Sequence, residues 1–286
     1  CMADVVYQLI QRGEIDARQA PDEADVLRAF HMLVERGFTT FDVADIYTGA
    51  EDMIGRFTAE LTGGWERIQV HTKYVPDLDR LETLTFADTE RIIDRSLKRL
   101  GRDVLDVVQF HWWDYGVPRV VEVAEHLERL REKGKIRFIG TTNFDTEHLA
   151  ELVESGIPVF SIQAQYSLFD RRPEKTQLPW CREHGVCMFC YGTLSGGYLS
   201  EKYIGRALNP PETRSQVKYL QIIEDTLGEE GTQELLRLLG EIASAHDVSI
   251  SNVATRYILE QEGVAGCIIG TRSSRHVESN ERITES

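Results

Sequence analysis

A chain of 286 residues with 42% apolar residues can bury a substantial core, and its length suits one large domain or two small ones. Its net charge of −15 opposes nonspecific binding to nucleic acid or to an anionic membrane surface. No apolar run approaches the about 20 residues of a membrane span and no secretory signal opens the chain, so a cytoplasmic location is expected.

Residues 1–21 (CMADVVYQLIQRGEIDARQA, then Pro21) hold no convincing strand, only a stub or helical turn at Val5–Ile10. An amphipathic segment at 22–36 leads to an apolar run at 38–43, and the alternation continues almost unbroken. Strands are predicted at 38–43, 68–74, 104–111, 136–141, 159–165, 186–191 and 266–270. Helices are predicted at 22–36, 50–61, 88–100, 119–133, 145–155 and 173–184. Asp88 is placed to cap the helix ending at Leu100-Gly101, and Asp145 the helix ending before Gly156. After the 186–191 strand comes an excursion over 198–230, rich in Pro, Lys, Glu and Gly. A helix pair at about 231–246 and 250–262 precedes the last strand.

Continuous apolar strands separated by helices read as a parallel sheet covered on both faces. This α/β pattern predicts a single domain over 1–286, a (β/α)8 barrel whose extensions after strands sit at the mouth, with 198–230 as a lid. The first strand is then missing, and lies upstream of Cys1 unless the barrel closes irregularly. A doubly wound sheet is the alternative, weakened by the lack of a G-x-G-x-x-G after an early strand.

Five cysteines (Cys1, Cys181, Cys187, Cys190, Cys267) are an odd number without framework spacing and read as reduced thiols. Cys187 and Cys190 match C-x-x-C, but three residues apart on a strand they face opposite ways. No metal site is expected.

The chemistry concentrates at 38–51, FTTFDVADIYTGAE, where a strand opens into a loop carrying Asp42, Asp45, Tyr47 and Glu51. A phenol, with a reference pKa of about 10, becomes a useful acid near neutrality only beside a cation that favours phenolate. Two later strand ends supply partners, Lys73 in IQVHTKY and His111 in VLDVVQFHWWD. A lysine ending an apolar strand is costly to bury unless paired.

The ordered motifs FDVADIYTGAE, HTKY, QFHWWD, GTTNF, SIQAQYS and GTRSSRHVESN resemble the aldo-keto reductases from about Thr40 to Asn280. The resemblance implies a metal-free barrel that moves a hydride between a nicotinamide cofactor and a small carbonyl or alcohol substrate. It makes Tyr47 the general acid, Lys73 the cation beside it, Asp42 the partner of Lys73, and His111 the group that orients the carbonyl and shares in proton transfer. It places Thr142, Asn143 and Gln163 at the carboxamide, Tyr191 against the nicotinamide, and Thr193, Leu194, Ser195 and Gly197 at the pyrophosphate. Gly270, Arg272, His276 and Asn280 fall at the adenosine end, and Arg272 favours NADP(H) over NAD(H). The sequence departs from the family at His276 and Ser279, where glutamine or arginine and glutamate are usual. Trp112, with Trp113, is implied as an apolar substrate wall.

Two other functions fit parts of the pattern. One is a cofactor-binding regulatory subunit, a role the family also fills. The other is a barrel hydrolase using Asp42 and Asp45, which leaves Lys73 unexplained.

Overall fold

The computed structural model describes residues 22–47, 49–211, 213–270 and 273–284; the Val5–Ile10 stub, the upstream-strand question and Arg272 lie outside them. The described residues fall into two units, 22–163 with 270 and 273–275, and 164–269 with 276–284.

In the first unit, β1 (Thr40–Asp42), β2 (Gln69–Tyr74), β3 (Leu105–Phe110), β4 (Ile136–Thr142) and β5 (Val159–Gln165) pair in parallel in chain order. The last two residues of β5 belong to the second unit. The register sets Lys73 beside Gln109, Gln109 beside Gly140, and Thr142 beside Gln163. Period-two alternation therefore aligns polar side chains on one face at the C-terminal ends of these strands.

Helices cover the other face by their apolar stripes. α1 (Glu23–Glu35) starts where the Asp22 side chain accepts from Ala24 N, and buries Val26, Ala29, Phe30, Leu33 and Val34 at helical spacing. Phe30 meets Phe41 of β1 and Phe57 of α2 (Ala50–Glu60), with centroids 5.2 and 5.5 Å away. α3 (Phe86–Leu100) ends on Gly101, whose φ of 66° is the left-handed conformation glycine adopts without strain. Its start corrects the expected cap. Thr85 is the N-cap, its hydroxyl accepting from Asp88 N, and Asp88 is the third helical residue, its carboxylate accepting in turn from Thr85 N in a capping box. α4 (Val120–Glu132) and α5 (Thr146–Glu154) follow, the latter capped by Asp145 as expected.

α2 and α3 approach closely at Gly55, where an added Cβ would lie 2.4 Å from Arg99 O. Backbone cannot yield as a flexible side chain does, so Gly55→Ala is expected to destabilise by about 1–3 kcal/mol despite alanine's better helix propensity. Urea unfolding checks this, and a neutral or stabilising effect would contradict the close packing.

In the second unit, β6 (Cys187–Tyr191) pairs in parallel with β7 (Val264–Cys267), Cys190 opposite Cys267. β7 ends earlier than the predicted 266–270 strand, because only Ile268 N still reaches Cys190 O, at 2.7 Å, beyond it. The predicted 173–184 helix divides into a 3-10 turn at Arg172–Glu174 and α6 (Gln177–His184). The 198–230 excursion is built rather than loose. It contains α7 (Arg214–Thr226), capped by Thr213. Its Tyr198, Leu199, Tyr203 and Ile223 share a core with Leu236 and Leu239 of α8 (Gly228–Ala245) and Ala254 of α9 (Ile250–Leu259). The polar composition hid those widely spaced apolar positions. A 3-10 turn at Ser274–His276, which begins in the first unit, leads into the short α10 (Val277–Glu281).

No helix among the described residues is long and apolar enough to cross a membrane. No group of three or more His, Cys, Asp or Glu side chains among them could hold a metal ion.

Candidate active site

Within the first unit, β1 ends at Asp42 and β2 carries Lys73 to the same level. Lys73 Nζ lies 2.5 Å from Asp42 Oδ1 and donates to Val43 O at 2.9 Å. The other carboxylate oxygen accepts from Gln109 Nε2 at 2.8 Å and Gln163 Nε2 at 2.7 Å, and Gln163 Nε2 also lies 2.8 Å from Gln109 Oε1. A buried ion pair is tolerated when its remaining hydrogen-bonding capacity is met in this way. Burial pushes the Asp42 carboxyl up, but the Lys73 ammonium and the hydrogen bonds from Lys73 and Gln109 outweigh it and hold the group below the ordinary carboxylate value.

Tyr47 sits half-buried in the loop after β1, with Lys73 Nζ 5.3 Å from its ring centroid. That loop is closed by backbone bonds from Tyr47 N to Ala44 O and from Ala50 N to Tyr47 O.

His111 follows β3. Its Nδ1 lies 3.2 Å from Thr142 O, and since a carbonyl oxygen only accepts, Nδ1 carries the proton. The neutral ring therefore presents an unprotonated Nε2. Burial lowers the imidazole's proton affinity, with the Thr142 bond opposing, so the ring is neutral at pH 7. Trp113 packs edge-on against His111 at 4.4 Å, half-exposed, and donates to Pro76 O. Trp112 is 2% exposed and packs on Phe110 rather than facing solvent; its indole Nε1 has no hydrogen-bond partner among the described residues.

The implied carboxamide residues lie at adjoining strand ends. Thr142 is buried, its carbonyl taken by His111. Asn143 has a φ of 61°, and its backbone N donates to Gln163 O. Gln163's side-chain nitrogen is engaged by Asp42 and Gln109. Gly270 belongs to this unit too.

The second unit holds Tyr191, the 193–197 turn, His276 and Asn280. Lys218 Nζ of α7 stands 3.5 Å from the Tyr191 hydroxyl. In the turn that follows, Thr193 Oγ1 lies 3.4 Å from Thr255 Oγ1, and Ser195 donates to Ser167 Oγ. Leu194 packs against the core shared by α8 and α9. Ser195 (φ 48°), Gly196 and Gly197 (φ 89°) are all left-handed, and a Cβ at Gly197 would meet none of the described residues within 4 Å. α7 lies against this turn, with Gln216 Nε2 3.2 Å from Gly196 O and Tyr219 beside Gly192. His276 and Asn280 fall at the start and within α10.

The sequence reading passed over Gln109, which shares a strand face with His111 two residues on, so period-two alternation could have found it. It also passed over Gln216, Lys218 and Tyr219, which only the fold of the excursion brings to the turn.

The sequence profile described as the Aldo/keto reductase family matches residues 11–285. The chain is 28% identical over 279 residues to aldo-keto reductase YhdN of Bacillus subtilis (strain 168), covering 92% of this chain and 80% of that protein. The solved glycerol dehydrogenase AKR11B4 of Gluconobacter oxydans superposes with a TM-score of 0.78 at 25% identity, covering 92% and 81% of the two chains. An aldo/keto reductase of Klebsiella pneumoniae, solved with NADP and acetate, superposes with a TM-score of 0.71 at 23% identity, covering 95% and 82%.

Proposed function

The chain belongs to the aldo/keto reductase family, an α/β fold of the (β/α)8 class, and from that premise we propose that it moves a hydride between NADP(H) and a small carbonyl or alcohol substrate. The observation that carries the reading is the buried Lys73 ammonium, held by Asp42 and lying 5.3 Å from the Tyr47 ring.

In the reducing direction Tyr47 gives its hydroxyl proton to the carbonyl oxygen, and Lys73 stabilises the negative charge left on the phenol oxygen. Asp42 and the two glutamine amides keep Lys73 in place. His111 is not the acid. Its one proton is on Nδ1, against Thr142 O, so Nε2 can only accept from an alcohol hydroxyl or from Tyr47. That assignment leaves the phenol as the proton source.

The donor set suits a dinucleotide. In the first unit Thr142, Asn143 and Gln163 carry the hydroxyl and amide groups a carboxamide pairs with. In the second, Tyr191 offers a ring, and the 193–197 turn offers backbone amides at left-handed residues, with open space at Gly197. Gly270, His276 and Asn280 are proposed at the adenosine end, and Arg272 is assigned there by resemblance alone. When bound, the cofactor supplies the hydride. The relative solved with NADP supports the phosphorylated form.

The test is oxidation of NADPH and of NADH by the purified protein with 4-nitrobenzaldehyde, alongside fluorescence titration of both. NADPH turnover with tighter NADPH binding is expected; binding without turnover would favour a regulatory role.

A further inference from the structure

We propose that Asp45 is a positioning residue for Tyr47: its carboxyl ties the loop carrying the phenol to α3 and to the end of β2, and gain of charge there loosens that loop. The inference rests on the reading of Tyr47 as the general acid. Asp45 stands two residues before Tyr47 and is 4% exposed. Its Oδ1 accepts from Val75 N at 3.3 Å, and its Oδ2 lies 3.4 Å from Arg95 Nη2 of α3. Its backbone N donates to Lys73 O at 3.3 Å, and its backbone O accepts from Arg99 Nη1 at 2.9 Å. One residue thus joins the Tyr47 loop to the strand that carries Lys73 and to two arginines.

The charged and titratable groups facing it come from three elements. α2 contributes Glu51, buried and bonded to Thr72 Oγ1 and Arg99, and Asp52, 3.9 Å from Arg99. α3 contributes Arg95 and Arg99. β2 contributes Lys73 and the phenol of Tyr74, which burial first and then the charge of Asp45 push up to about 12. Around Asp45 itself, burial and then the Glu51 carboxylate push the carboxyl up to about 7, with Arg95 opposing. A purely structural tie needs no such group, since an asparagine oxygen could accept from both Val75 N and Arg95. Setting an ionisable carboxyl beside a second carboxylate in a buried loop costs stability and gives a charge that changes near neutrality. Below that point the neutral carboxyl still accepts from Val75 N and from the Arg95 guanidinium; above it a buried carboxylate faces Glu51, and opening the loop to water relieves that repulsion.

The same geometry has a stability signature. The folded carboxyl stands at about 7 against 3.8 for an unperturbed one, so between those values the folded chain binds more protons than the unfolded chain. The contribution of Asp45 to stability is therefore fullest below the lower value and declines as pH rises through the window.

The experiment is the pH profile of kcat for NADPH-dependent reduction of 4-nitrobenzaldehyde from about pH 5.5 to 8.5, around the carboxyl's turning point. Wild type should show a severalfold fall as pH rises, centred near pH 7, and Asp45→Asn no fall there, with KM for NADPH unchanged. Any limb from His111, which burial holds below 6.5, should remain in both. Arg95→Met, which removes the opposing cation, should move the fall to higher pH and serves if Asp45→Asn folds poorly. Without substrate, the urea midpoint of wild type should fall relative to that of Asp45→Asn between pH 5 and 7. A fall at pH 7 that persists in Asp45→Asn and does not move in Arg95→Met would overturn the proposal alone. Full activity of Tyr47→Phe would overturn both it and the reading beneath it.

Discussion

Lys73→Met is expected to destabilise the protein by about 3–5 kcal/mol, the usual cost of removing one partner from a buried ion pair. The side chains of Lys73 and Asp42 are 6% and 9% exposed, so water cannot replace the lost ammonium at Asp42. Gln109 and Gln163 would still donate to Asp42, but two neutral amides do not offset a buried charge. Adding Asp42→Asn removes the second charge and should recover most of the loss. Urea unfolding reads both variants. A loss below about 1 kcal/mol for Lys73→Met would place the pair in the range of exposed salt bridges and contradict the buried arrangement.

Tyr47→Phe is expected to lower kcat by about 10²–10⁴, the range a positioned general acid contributes. Its ring is kept, and so is the packing of the loop, so stability and NADPH affinity should change little. Because the lost proton transfer belongs to the transition state alone, kcat and kcat/KM should fall together. A rise in KM at unchanged kcat would instead make Tyr47 a binding residue. Steady-state kinetics over a range of aldehyde concentrations separates the two.

Much of the fold was legible because short strand-like stretches, apolar in part, alternate with amphipathic helical segments along the chain. Asp42, Lys73 and His111 stood out because each lies at or beside the end of a strand, and Tyr47 because it follows Asp42 in the loop beyond β1. Local capping was harder. Asp88 looked like a cap from its position before the periodic stretch, but Thr85 offers the same chemistry one turn earlier and lets Asp88 reciprocate. The 198–230 excursion misled by composition, since Tyr198, Tyr203 and Ile223 are too far apart to show a period yet meet on α8 and α9. The role of Asp45 was illegible for another reason. Its partners Val75 and Arg95 lie 30 and 50 residues away and come to it only through tertiary packing.

The central claim is that the phenol and the ammonium held by Asp42 deliver the proton as one unit. A double-mutant cycle tests it most directly, with Tyr47→Phe on one side and the paired Asp42→Asn/Lys73→Met change, which strands no charge, on the other. Single-turnover reduction of 4-nitrobenzaldehyde by protein saturated with NADPH should be no slower in the combined variant than in Tyr47→Phe alone. Rate losses that multiply would mean that Tyr47 and Lys73 act independently, which contradicts the account.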